Sequence, residues 1–449
     1  MNKAKIDQKD HFACIILAAG QGTRMKSALP KVMHKVAEQP MVQHVVKACE
    51  TASKIVVVIA KSMNNVRAAV APHTCAVQQE PLGTGNAVKA AQEELAGFKG
   101  NIVVLFGDTP LVSAEALAKL VARRKESNAA LVVGSFTPDD AAAYGRLVLD
   151  QKGELQEIVE LADATEEQKQ IKTCNGGIML FDSAVLWNLV SDLKNDNAKK
   201  EYYLTDCIKL AREKGQKVMV AELETKDVFG INNRVQLAEA EEILQNRLRE
   251  AAMLAGVTMR DPRSVFLCAD TKFGHDVVIE PNVVFGKGVV VGDNVEIRSF
   301  SHIDGATIEK GATIGPFARL RPETKIGQGS RIGNFVEIKK SDIGQGAKVG
   351  HLSYVGDTAI GENSNIGAGT ITCNYDGYHK SKTEIGADVF VGSNTALVAP
   401  VKIGDSALIA AGSTITKNVP ADALARARAE QKNTEEWVPR FRRAKEKKS

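Results

Sequence analysis

The turn LAAGQGTRMKSALPK (17–31) carries Gly20 and Gly22 with two cations, Arg24 and Lys31. Glycine lets the backbone bend closely and turn free N–H groups toward phosphate oxygens, so such a turn suits a polyanion. It has neither the GK[ST] of a Walker loop nor the GxGxxG of a dinucleotide fold. Downstream, Gly107-Asp108 ends an apolar run and brings a carboxylate to face that loop. Carboxylate and nucleotide phosphate oxygens together are what magnesium prefers. In the second half, Arg321 and Lys339 stand 18 residues apart, a pair of cations suited to one phosphate if the chain stacks them. His351 offers an imidazole, which titrates near neutrality and can serve as a general base.

Different elements must position these two sets. Up to about residue 230, the apolar runs 12–17, 55–60, 101–106 and 129–136 are short and β-branched without alternation, as expected of parallel strands covered on both faces. Amphipathic stretches at 84–96 and 113–126 separate them, the latter opening on Ser113 and Glu115. This alternation predicts a doubly wound α/β domain whose ligands sit at the carboxyl ends of the strands. Residues 234–255 read as one long helix with a stripe of Val235, Ala238, Ile243, Leu244, Leu248 and Ala251, stopped by Gly256.

Beyond that helix the period becomes six. Apolar residues, nearly all aliphatic, recur at Ile279, Phe285, Val291, Ile297 and Ile303. They resume at Ile308, Ile314, Leu320, Ile326, Ile332 and Ile338, then at Ile343, Val349 and Val355, and at Ile360 and Ile366. The series returns at Ile385, Val391, Leu397, Ile403, Ile409 and Ile415. Six fits neither a helix nor a hairpin; it fits a prism with one short strand per face and three faces per coil. The aliphatic side chains are expected to point inward and stack. Glycine beside many of them, as at Gly327 and Gly333, is expected to permit corner conformations that a Cβ would hinder. An interval of 18 residues is one coil, so Arg321 and Lys339 should lie stacked. The rhythm breaks between Thr372 and Ile385 for a polar, aromatic and basic loop of the kind that carries function. The expected division is residues 1–230, a linker helix 231–256, and a β-helix with a tail at 257–449.

The bulk properties set bounds. The chain has 449 residues, enough for two or three domains, with 44% hydrophobic and only 5% aromatic residues, so small aliphatics pack the cores. With 58 basic against 54 acidic side chains, nothing calls for nucleic acid, and the basic run RFRRAKEKKS reads as a solvated tail. Seven scattered cysteines without a CxxC pair suggest free thiols in a reducing compartment. The polar N-terminus resembles no signal peptide, and no apolar run reaches the ~18 residues of a membrane span. The expectation is a soluble cytoplasmic protein without membrane insertion.

With LAAGQGTRM and its PK, EPLGTGNA (80–87), FGDTP (106–110), YGR (144–146), IVE (158–160) and Asn232-Asn233, the first half resembles the sugar nucleotidyltransferases. That likeness implies in-line attack of a sugar 1-phosphate on the α-phosphorus of UTP. By motif match, Leu17, Ala18, Ala19, Gly20, Gln78, Gly83, Thr84, Phe106 and Gly107 would bind UTP and its sugar product, with Arg24 and Lys31 as the catalytic cations on the phosphates. Asp108 and Asn232 would hold Mg²⁺, while Gly145, Glu160 and Asn175 would line the sugar pocket. One departure is Asn175-Gly176-Gly177 where the family usually shows Asn-Thr-Gly, which is expected to loosen that pocket locally.

The strings GPFARLRP (315–322), GNFVEIKK (333–340), GHLSYVGD (350–357) and NIGAGTITCNYDG (365–377) narrow the resemblance to the bacterial bifunctional enzymes that make UDP-N-acetylglucosamine. The prism is then expected to be a left-handed parallel β-helix that acetylates glucosamine 1-phosphate from acetyl-CoA, giving N-acetylglucosamine 1-phosphate. Transfer to an amine needs a base, for which His351 is the candidate, with Glu337 orienting or stabilising its ring. Arg321, Lys339, Tyr354, Asn365 and Lys380 are the implied sugar contacts. Asn374 and Tyr375 in the extruded loop, with Ala368, Ser393, Ala411 and Arg428, are assigned to the acetyl-CoA side. Around Arg428 the chain reads Arg-Ala-Glu-Gln rather than the commoner Arg-Val-Pro-Gln. The resemblance also implies a homotrimer with acyl-CoA between neighbouring prisms. The rivals are a single-activity nucleotidyltransferase with a structural prism, and a non-catalytic scaffold. His351 and the Arg321/Lys339 pair speak against the first; Arg24, Lys31 and Asp108 speak against the second.

Overall fold

The computed structural model describes residues 11–141, 144–159, 164–197 and 199–446. The chain divides into two compact units, 1–247 and 248–449.

In the first unit the apolar runs form one sheet. From edge to edge its strands are Val218–Glu222, Leu131–Phe136, Cys174–Asp182, Asn101–Phe106, Phe12–Leu17, Lys54–Ala60 and Thr74–Gln78. Alternate residues of the central strands feed two cores: Cys14, Ile16, Val57, Val103 and Leu105 on one face, and Ala13, Ile15, Val56, Val58 and Val104 on the other. Burial on both faces explains why these strands read as unbroken apolar runs. The sheet is mixed, however, since Cys174–Asp182 runs antiparallel to both of its neighbours. The helix Ala114–Ser127 starts where Ser113 accepts a hydrogen bond from the Ala116 N–H at 3.1 Å. The expected helix at 84–96 is shorter, Thr84–Ala90, followed by a 3₁₀ turn at Glu93–Leu95.

The long helix spans Arg234–Leu254, and its buried stripe differs from the expected one. Val235, Ala238 and Ala251 face solvent. Leu237, Ala240 and Leu244 pack on Val36, Met41, Leu111 and Ile231 in the first unit. Leu248 and Ala252 pack against the core of the second.

The second unit is a left-handed parallel β-helix with sheets of ten, eight and eight short strands on its three faces. Each strand pairs in parallel with its equivalent one coil away, for example Leu320 with Ile338 and Ile338 with Val355. Every aliphatic residue of the six-residue series is buried in one continuous core. A second inward column lies two residues before each, and much of it is hydroxylic: Ser330, Ser364, Thr370 and Thr383 are fully buried. Ser330 and Ser364 donate to the carbonyls of Gly344 and Gly386 on the next coil at 2.7 and 2.8 Å, which removes the cost of burying a hydroxyl.

The glycines after the aliphatic residues work differently from expectation. Gly327 and Gly333 do not have positive φ; they are small because the coils touch, and a Cβ on Gly333 would collide with the carbonyl oxygen of Gly350. The left-handed corner residue lies elsewhere and is often asparagine, as at Asn282, Asn294, Asn363 and Asn394, which tolerates that region best among non-glycines. No helix among the described residues is long and apolar enough to cross a membrane, and none of the seven cysteines is paired.

Candidate active sites

In the first unit, four charged or polar residues from three separate segments meet at the carboxyl edge of the sheet. Gly22 has φ 66°, and its missing side chain leaves room for the stem of Lys31, which packs across it. The ammonium of Lys31 pairs with the Asp108 carboxylate and donates to the amide oxygen of Asn232 at 3.2 Å. Arg24 donates to that same oxygen at 2.8 Å. Two hard oxygen donors, from Asp108 and Asn232, thus converge on the Lys31 ammonium, and such a pair fits Mg²⁺. No cluster of three or more His, Cys, Asp or Glu side chains among the described residues could hold a metal, so an ion here would draw its remaining ligands from water and substrate phosphates.

The other expected nucleotide contacts are held by backbone and side-chain hydrogen bonds of their own. Gly107 donates to the Leu17 carbonyl and Ala18 to that of Val58, joining the ends of three neighbouring strands. Ala19 and Gly20 follow in the same open loop, and Phe106 ends its strand. Gln78 donates to the Gly83 carbonyl at 3.1 Å and to Asn86 at 2.8 Å. Thr84 accepts from the Leu204 N–H at 3.0 Å. Gly83 has φ 103°, and a Cβ there would stand 2.7 Å from the Tyr202 carbonyl.

At the expected sugar pocket, Asn175 receives the Gly177 N–H at 2.9 Å on its side-chain oxygen and donates its own N–H to Gly145. Glu160 lies outside the described residues. The variant Gly176 has a local reason: a Cβ there would stand 2.7 Å from a methyl of Val228 and 2.9 Å from the Gly134 carbonyl. Val228 therefore fills the space in which a threonine side chain would sit.

In the β-helix the functional candidates fall on adjacent coils. Gly369 donates to the His351 carbonyl, Asn394 to that of Ala368 and Gly412 to that of Ser393. His351, Ala368, Ser393 and Ala411 therefore lie one above another along one edge of the prism. At about 4.8 Å per coil this line runs for roughly 14 Å. Beyond His351 the corner residues are Gly369, Asn394 and Gly412, so the track has small or short walls. The Arg428 side chain lies near its far end, 3.7 Å from where a Cβ of Gly412 would be. On the other side of His351 the same corner carries Phe300, Phe317 and Phe335, stacked with ring centroids 4.8 and 5.1 Å apart.

Three of the expected sugar contacts form a group of cations. Lys380, reaching back from the extruded loop, sits against Lys339, and with Arg321 it holds the Lys339 ammonium below the usual lysine range. Like charges gathered this closely are costly unless an anion joins them. Tyr354 and Asn374 share the space over Gly356: a Cβ there would stand 2.5 Å from the tyrosine hydroxyl and 2.8 Å from the asparagine amide. Asn374 also donates to buried Asp357 at 2.5 Å. Tyr375 is exposed and its hydroxyl donates to the Gly377 carbonyl at 2.6 Å. Asn365 is held between Lys348 and Phe390 of neighbouring coils.

The Glu337 carboxylate is engaged by Arg321 at 2.8 Å and Arg319 at 3.6 Å. The group on the imidazole Nδ1 is Asn334, which sequence reasoning passed over because an asparagine at a coil corner reads as a turn residue.

Family models agree with this two-part construction. A MobA-like NTP transferase domain matches residues 14–172, six-repeat bacterial transferase hexapeptide models match 270–305 and 382–417, and a GMPPB C-terminal domain matches 302–376. A solved UDP-glucose pyrophosphorylase in complex with UDP-glucose aligns with 53% of this chain and 99% of its own at TM-score 0.44 and 16% identity, too distant to bear on function. The curated relatives are far nearer. The bifunctional protein GlmU of Paramagnetospirillum magneticum is 50% identical over 96% of both chains. That of Zymomonas mobilis is 47% identical over 97% of this chain and 99% of its own, and that of Xanthobacter autotrophicus 50% identical over 96% and 98%. Identity at this level along both units means that the chain belongs to the GlmU family of bifunctional proteins.

Proposed function

We propose that the β-helix acetylates glucosamine 1-phosphate from acetyl-CoA and that the first unit couples the resulting N-acetylglucosamine 1-phosphate to UTP. In this division residues 1–230 carry uridylyl transfer, 231–256 the joining helix and 257–449 acetyl transfer. The observation that supports it most is the line of His351, Ala368, Ser393 and Ala411, taken with the grouping of Arg321, Lys339 and Lys380. A thin acyl carrier lies along the small-residue track while the sugar phosphate is held at its head.

In acetyl transfer, Arg321, Lys339 and Lys380 bind the 1-phosphate, and Tyr354 and Asn365 hold the sugar. His351 takes the proton from the amine as its nitrogen attacks the thioester carbonyl; the C–S bond breaks and coenzyme A leaves as the thiol. Glu337, bound to Arg321, fixes the cation face. Asn374, Tyr375 and Arg428 border the acyl-carrier side.

In uridylyl transfer a phosphate oxygen of the acetylated sugar attacks the α-phosphorus of UTP and pyrophosphate departs. The protein contributes alignment and charge more than covalent chemistry. Arg24 and Lys31 neutralise the phosphates, Leu17, Gln78, Gly83 and Thr84 hold the uridine, and Asn175 and Gly145 line the sugar site. Asp108 and Asn232 would hold Mg²⁺, which when bound draws charge off the phosphate oxygens.

The prisms assemble as a homotrimer, for which the exposed stack of Phe300, Phe317 and Phe335 offers an apolar surface, and the protein works in the cytoplasm. The intermediate passes between the two sites through solution.

Purified protein given glucosamine 1-phosphate, acetyl-CoA, UTP and Mg²⁺ should release thiol and pyrophosphate and form UDP-N-acetylglucosamine. Pyrophosphate only when the acetylated sugar phosphate is supplied, and never thiol, would leave the prism structural.

A further inference from the structure

The pairing of His351 with Asn334 is built into the coil geometry. The two residues are partners in the parallel ladder between the strands Arg331–Asn334 and Lys348–His351. Each follows a glycine, and Gly333 and Gly350 bring the coils so close that a Cβ on Gly333 would strike the Gly350 carbonyl. Each precedes a left-handed corner made by a bulky residue, Phe335 at φ 56° and Leu352 at φ 52°. A non-glycine is disfavoured in that region, so this corner is held by its surroundings, including the Leu352 N–H donating to the Asn334 carbonyl at 3.1 Å and the phenylalanine stack. The side-chain result is the contact between Asn334 Oδ1 and His351 Nδ1. An amide oxygen can only accept, so the ring nitrogen facing it carries the proton. The other nitrogen, Nε2, then has the free lone pair that a base requires.

We infer that Asn334 is a positioning residue for acetyl transfer: its amide oxygen selects the Nδ1-protonated tautomer of His351 and turns Nε2 toward the amine. The inference rests on the reading of His351 as the base. A structural alternative is an asparagine that merely stitches two coils together, and the two differ in what they predict.

Full-length protein labelled with ¹⁵N-histidine carries eight histidines, and His351→Gln assigns the resonance of interest. At a pH where the ring is neutral, His351 in the unaltered protein should show a protonated Nδ1 and a bare Nε2. In Asn334→Ala this preference should collapse, and kcat for acetyl transfer should fall about tenfold or more, within the roughly 10²–10⁴-fold that a general base contributes. KM for both substrates and the thermal midpoint should change little. Asn334→Asp keeps an acceptor at the same place and should restore most of the rate. A bare Nδ1 in the unaltered protein, or an Asn334→Ala protein that loses stability but not kcat, would overturn the inference. If His351→Gln kept full acetyl transfer, the base reading itself would fall, whatever tautomer the spectrum showed.

Discussion

In the function proposed above, the two regions hold charges around a sugar phosphate by opposite routes. In the nucleotidyltransferase unit, Arg24 and Lys31 come from one loop, Asp108 from the end of a strand and Asn232 from the segment before the long helix, and only the tertiary fold unites them. In the β-helix, the residues are gathered by repetition: Arg321 and Lys339, or His351 and Ala368, meet because the chain returns to the same corner about every 18 residues. A site built by repetition depends on coil spacing at a few positions. A site built by tertiary gathering depends on scattered contacts whose loss is local.

The sharpest way to break that contrast is Gly333→Val. Its side chain must force the Gly333 and Gly350 coils apart, and with strain this near a buried ladder the β-helix should lose more than about 3 kcal/mol. Thermal unfolding should show that transition moving down while the nucleotidyltransferase transition stays put, with acetyl transfer abolished. Asp108→Ala is the mirror experiment. It leaves Lys31 without its partner carboxylate and should cut uridylyl transfer by about 10²-fold or more, as loss of one preorganised electrostatic group does elsewhere, with thiol release from acetyl-CoA unchanged.

Gly176→Thr tests a single tertiary contact. The added Cβ meets Val228 and the Gly134 carbonyl and should cost about 1–3 kcal/mol by overpacking. Val228→Ala in the same chain should recover part of that loss, measured by chemical denaturation. A smaller effect concerns pH. Because Lys380 and Arg321 hold Lys339 below the usual lysine range, its positive charge is lost earlier than usual as pH rises. KM for glucosamine 1-phosphate should therefore climb on the alkaline side, and Lys380→Ala should move that climb to higher pH. A climb that stays where it was would mean that Lys339 does not bind the phosphate.

The same contrast governs what could be read from the sequence. The inward apolar series was legible to the residue, because a period of six has one geometric solution and the run from Ile279 to Ile415 keeps it apart from one-residue slips and the extruded loop. The second inward column was not, since Ser330, Ser364 and Thr370 look like surface residues until their hydroxyls are seen bonded to backbone carbonyls. Asn334 was hidden for the same reason, and only the register of adjacent coils discloses its partner. In the first unit the four apolar strands were plain from composition, but Cys174–Asp182 was not: its Asn175, Gly176 and Gly177 break the apolar run, and nothing in it marks that it runs antiparallel to both neighbours. The stripe of the long helix was misread because its two ends pack in different units, so Val235, Ala238 and Ala251 satisfied a helical period while facing water.

The most direct test of two separate chemistries in one chain is to assay both half-reactions in His351→Ala. Thiol release from acetyl-CoA with glucosamine 1-phosphate should vanish, while pyrophosphate release from UTP with N-acetylglucosamine 1-phosphate should stay near that of the unaltered protein. A folded His351→Ala protein that still acetylates, or that loses both activities, would contradict the assignment of acetyl transfer to the β-helix and of uridylyl transfer to the Asp108 cluster.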